Sequence, residues 1–134
     1  MREEDIPAAF YYQNKDGFKF FVFAFDAYLN GEGMNRSYAR SRQISDAVKQ
    51  MTGKALPAYC YGNPDLYILT EKNENSMAVG LFNLFADSVL SPVVELDGKY
   101  SKISFINSNG RLEGDKVVMT DIPPFGFAGF EVSE

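Results

Sequence analysis

The sequence predicts a mainly β chain with one helix (α+β): a small antiparallel β-sandwich preceded by a β-hairpin and one α-helix. Three observations predict it. Six short strand-like segments, each bounded by turn residues, fill the C-terminal half. Two apolar runs near the start flank an Asp16-Gly17 turn. Between these regions a single segment repeats its apolar residues at helical spacing.

The hairpin comes first. Residues 8–13 and 18–25 are strand-like, and Asn14-Lys15-Asp16-Gly17 joins them, with Gly17 free to take the positive φ of a tight turn. Strand side chains alternate, so Phe18, Phe20, Val22 and Ala24 share one face and Phe21, Phe23 and Phe25 the other. Both faces are apolar, so this strand calls for cover on two sides. Residues 26–35, with Gly31 and Gly33, read as a polar loop. A helix is expected over about 37–51, where Ile44, Ala47, Val48 and Met51 fall at i, i+3, i+4 and i+7. Gly53 supplies its C-terminal cap, and Leu56-Pro57 ends regular structure.

From Asn63-Pro64 onward the strand candidates are 66–71, 77–85, 93–96, 103–107, 116–120 and 126–132. The expected division is residues 1–62, a ββα piece from the end of an incomplete α/β domain, and 63–134, a sandwich. A hairpin and one helix are too small to bury both faces of a Phe-rich strand. The expectation is therefore a piece of a larger protein, covered by its parent or by another copy.

Composition narrows the function classes. The chain has 134 residues, 46% hydrophobic and 23% charged, which is globular composition. Its net charge of −5 lacks the basic footprint of a nucleic-acid binder. No signal peptide or membrane span is visible, so a cytoplasmic location with no membrane partner is expected. The single cysteine, Cys60, cannot close an intrachain disulfide and reads as a small core residue. With no histidine, the Ser-His-Asp and Cys-His nucleophile arrangements are impossible. Asp65, Glu71, Asp87, Asp97, Glu113, Asp115 and Asp121 lie in or beside turns, where acids bond backbone amides, and no spacing singles out a catalytic pair. Asn73, Glu74 and Asn75 lack the spacing of a calcium loop, and the glycines of the segment 110–114 read as turn residues rather than a phosphate loop. No metal, cofactor or catalytic residue is expected.

Two groups remain as candidate binding residues. Arg36, Arg40 and Arg42 crowd the helix start, where cations oppose the helix dipole. With Phe21, Phe23 and Phe25 they are the candidates for partner contact, against simple solvation of the arginines. Tyr59, Tyr61, Tyr67 and Tyr100 could form a platform for sugar rings, against plain packing.

Four segments carry a resemblance: Asp65-Leu-Tyr-Ile-Leu-Thr70, Val79-Gly-Leu-Phe-Asn83, Ile103-Ser-Phe-Ile-Asn107 and Ile122-Pro-Pro-Phe-Gly-Phe127. Together they are similar to the tail of family 42-like (β-galactosidase-type) multidomain glycoside hydrolases. The upstream strand and helix resemble the end of that architecture's glutamine-amidotransferase-like domain. The resemblance implies a non-catalytic C-terminal β-domain that supports packing on the parent's upstream domains or homo-oligomerisation. The family's catalytic carboxylates belong to a barrel absent from this chain, so none carries over. A carbohydrate-binding module is the alternative, and an independent enzyme a further one.

Overall fold

The computed structural model describes residues 9–23, 38–60, 62 and 65–134. The chain divides into two compact units, Met1–Ala55 and Leu56–Glu134.

In the first unit, strands β1 (Ala9–Gln13) and β2 (Lys19–Phe23) pair antiparallel, with Tyr11 opposite Phe21 and Tyr12 opposite Phe20. The turn is closed by Asn14, whose Oδ1 accepts from the amides of Asp16 at 3.0 Å and Phe18 at 2.7 Å. Gly17 takes φ +83°, as the Asp-Gly pair predicts. β2 ends at Phe23, short of the expected residue 25, and Phe25 lies outside the described residues.

Helix α1 (Tyr38–Thr52) follows the apolar repeat closely. Gly53, at φ +75°, donates its amide to the Lys49 carbonyl at 2.8 Å, which is the left-handed cap expected there. Ala47 is buried and Val48 half-buried, but Ile44 and Met51 on the same stripe stay 41% exposed. One hairpin and one helix give that stripe only partial cover.

The second unit is a sandwich of two four-stranded antiparallel sheets. The first sheet has the order β4 (Leu66–Lys72), β5 (Ser76–Asn83), β10 (Phe127–Ser133), β7 (Lys102–Ile106). The second has the order β3 (Ala58–Tyr59), β6 (Val93–Leu96), β9 (Lys116–Met119), β8 (Gly110–Glu113). Alternate residues of both meet between them: Met77, Val79 and Leu81 from β5, Phe130 and Val132 from β10, Val94 and Leu96 from β6, Val117 and Met119 from β9. Period-two alternation in each strand produces this division into inner and outer faces.

Two expectations are corrected here. The β unit begins before Asn63, because Ala58 and Tyr59 pair with Leu96 and Glu95 and join the second sheet. The segment 110–114 is a strand from Gly110 to Glu113, pairing with β9, and only Gly114 (φ +68°) serves as the turn. Gly110 is needed for close approach rather than for a turn: a Cβ there would stand 2.2 Å from the Val118 carbonyl oxygen. Cys60 lies buried in the core cluster of the sandwich.

Candidate functional site

The register of the first sheet sets its outer face in rows across the strands. Tyr67, Phe82 and Phe127 form one row, since Tyr67 and Phe127 both pair with Phe82. The next row holds Leu69, Gly80, Gly129 and Ile106. The third holds Glu71, Ala78, Glu131 and Ser104. Two apolar rows therefore lie side by side, with a carboxylate row beyond them.

Within their own unit those apolar rows are only partly covered by the described residues. Tyr67 is 55% exposed, Leu69 and Ile106 50%, and Phe127 38%. The Phe82 and Phe127 rings are 4.8 Å apart and tilted by 40°; Tyr67 and Phe82 are 6.5 Å apart and tilted by 53°. Two adjacent glycines make room for Phe127. A Cβ on Gly80 would meet the Phe127 ring at 3.2 Å, and one on Gly129 would meet it at 3.4 Å. Its ring thus lies over the middle of the sheet, where a side chain at either position would have stood.

The apolar surface runs on into the loops at the end of β5. Leu84, Phe85, Leu90 and Phe125 are all exposed, Phe125 by 75%. Phe125 holds φ +52°, a conformation that costs a residue with a Cβ about 1–2 kcal/mol. The loops that carry these residues are tied down by a buried amide. Asn83, 1% exposed, donates through Nδ2 to the carbonyls of Asp87 at 2.7 Å and Pro123 at 3.0 Å. Its Oδ1 accepts from the Phe85 amide at 3.1 Å, and its own backbone amide donates to Gly126 at 2.9 Å. One side chain ties both loops, 84–88 and 122–126, to the end of the sheet.

The outer face of the second sheet is built differently. Glu95 and Lys116 form an ion pair at 3.2 Å, Arg111 and Glu113 form another, and Tyr59 stands opposite Glu95. This is the charge-laced pattern of a face turned to water.

The predicted site residues are distributed as follows. Tyr59 lies on the outer face of the second sheet, Tyr67 on the outer face of the first, and Tyr100 packs against the core. These three do not share a platform, and Tyr61 lies outside the described residues. In the first unit Phe21 and Phe23 are half-buried, with rings 5.0 Å apart. Phe21 lines a depression with Tyr38, Arg40, Arg42 and Gln43 of the helix. Exposed rings occur on both faces of the hairpin: Phe10, Tyr12 and Phe20 on the face opposite Phe21, Tyr11 on the Phe21 face, with Phe18 beside the turn. Arg40 bonds Gln43, and Arg42 donates to the Tyr38 hydroxyl at 3.2 Å. Arg36 and Phe25 lie outside the described residues.

Among the acids, Asp97 meets Lys72 at 3.8 Å, and Asp121 accepts from the Ser91 amide at 2.8 Å. Among the described residues no group of three or more acids or cysteines is placed to hold a metal, and no helix is long and apolar enough to cross a membrane.

Leu69, Phe82, Ile106 and Phe127 went unmarked in the sequence as binding residues. A usable signal was there: Leu66-Tyr-Ile-Leu69 is apolar without interruption, the same mark of a two-faced strand that singled out the Phe-rich hairpin. Comparison of the chain with protein-family models, curated proteins and solved structures finds no match in any of the three.

Proposed function

We propose that this chain is a non-catalytic accessory module of a larger protein, and that its β unit docks through the outer face of the first sheet. The observation that carries this reading is the pair of apolar rows running from Tyr67 to Phe127 and from Leu69 to Ile106, half open to water. Scattered apolar residues are normal on a surface, but adjoining rows on one face mark an interaction site. Covering a large apolar side chain there contributes up to about 1.5–3 kcal/mol, which several residues multiply. The resemblance described above supplies the class of parent, a multidomain glycoside hydrolase, whose upstream domains would be what the module packs on. Homo-oligomerisation through the same face is the other way to cover it.

A second reading, a carbohydrate-binding surface, draws on the same rings, since Phe127 lies over two glycines with part of its ring open. Protein docking is preferred because Leu69 and Ile106, the immediate neighbours, offer a sugar no hydrogen bonds, and the rings are tilted rather than coplanar.

Co-expression of the chain with the polypeptide encoded directly upstream of Met1 tests the proposal. The expected result is a complex that survives purification and is lost in the Leu69→Lys/Ile106→Lys variant, with the variant's melting temperature unchanged. A folded variant that still co-purifies, or an upstream reading frame with no further domain and a chain that stays monomeric, would sink it. Isothermal titration with galacto-oligosaccharides separates the sugar reading: heat that vanishes in Phe127→Ala would replace docking with carbohydrate recognition.

A further inference from the structure

We infer that the partner seated on this face presents an apolar surface edged by arginine or lysine, the cations lying against Glu71 and Glu131. The inference rests on the docking reading and specifies what docks.

It starts from two carboxylates without counterions. Glu71 on β4 and Glu131 on β10 both stand opposite Ala78, one on each side, so they are separated by two strand spacings, roughly 10 Å. Among the described residues neither forms an ion pair or a side-chain hydrogen bond. The lysines beside them, Lys72 along the chain and Lys102 across the sheet, are engaged elsewhere. Lys72 bonds the carbonyl of Asp97 at 3.1 Å and lies near its carboxylate. Lys102 donates to the carbonyl of Glu134 at 2.7 Å. The contrast with the second sheet is direct, because there Glu95 and Glu113 each have a cation on the same face.

Position makes these two acids matter. They border the row of Leu69, Gly80, Gly129 and Ile106 without interruption. Anything that covers that row excludes water from the border, and a carboxylate losing water without a partner is costly. A partner carrying cations at that border turns the cost into attraction and fixes its register on the sheet. Charge also argues against a second copy as the occupant. Two chains of net charge −5 would meet with their own carboxylate rows at the interface, and Lys102, the lysine that the described strands place on this face, is already held by the Glu134 carbonyl.

The test uses the full chain and two synthetic peptides of equal length, one alternating leucine with arginine, the other leucine with glutamate. Amide shifts followed by NMR during titration should cluster on β4, β5, β10 and β7 for the arginine peptide. Its affinity should fall about tenfold in Glu71→Gln/Glu131→Gln and weaken with added salt. The matched variant on the other sheet, Glu95→Gln/Glu113→Gln, should leave it unchanged. If both peptides bind the first sheet equally, or the Glu71→Gln/Glu131→Gln variant binds as the parent does, the cationic partner is refuted while docking stands. If the shifts fall on the second sheet or nowhere, docking through this face fails as well. A concentration-dependent dimer in sedimentation, broken by Leu69→Lys/Ile106→Lys, would assign the face to a second copy and overturn the inference.

Discussion

On the second sheet's outer face Glu95 is matched by Lys116 and Arg111 by Glu113, whereas the corresponding face of the first sheet carries Tyr67, Leu69, Ile106 and Phe127 half open beside two acids that have no ion pair among the described residues. Both sheets have four antiparallel strands and contribute inner residues to one core, so folding alone does not account for the difference. What differs is the surroundings each outer face suits. Paired charges suit water, and adjoining apolar rows suit another surface. An inner face is shaped by the partner sheet, so an outer face is where the two halves of a sandwich are free to diverge.

The heaviest blow to the contrast is Asn83→Ala. It removes three side-chain hydrogen bonds that tether two loops and opens a cavity where a buried amide stood, a loss of about 3 kcal/mol in a denaturant titration. A loss under about 1 kcal/mol would mean the apolar loops hold their shape without it. Next is Gly129→Ala, which sets a methyl 3.0 Å from the Val79 carbonyl oxygen and 3.4 Å from the Phe127 ring. It should cost about 1 kcal/mol and move the ring off the sheet, visible as a changed Phe127 ring-current shift on neighbouring amides. Unchanged stability and shifts would show that the glycine pair is not what seats Phe127. Smallest is Lys116→Met on the second sheet, expected to lower the unfolding free energy by about 0.5 kcal/mol or less, because exposed ion pairs contribute little. A cost above about 2 kcal/mol would make that face a stability device and not merely a solvated one.

Much of this molecule was readable from local chemistry. The helix lies within a residue of its expected bounds because Gly53 marks its end, and the 93–96 strand matches exactly the run Val93-Val-Glu-Leu96 set off by Pro92 and Gly98. What escaped depends on partners distant in sequence. Ala58–Tyr59 is too short to announce itself and is a strand only because Leu96 and Glu95 pair with it. Gly110 reads as a turn residue and serves close packing instead. The candidate face escaped for the same reason. Tyr67 was marked, but for company it does not keep, while Phe82, Phe127, Leu69 and Ile106 become neighbours only once β10 is placed between β5 and β7. Asn83 sits inside the expected 77–85 strand, and only the folded loops reveal how many bonds it makes.

That placement of β10 also has a consequence in time. The strand that sits inside the first sheet is the last in chain order, and it pairs on one side with β5 and on the other with β7. Until it arrives, both neighbours hold open backbone edges, and Met77, Leu81 and Ile103 lack their cover. Closing the sheet joins residues far apart in sequence, such as Phe127 with Phe82, so the contacts that β10 makes with β5 are all long-range ones. The first sheet therefore cannot be completed until residues 127–133 are in place between β5 and β7.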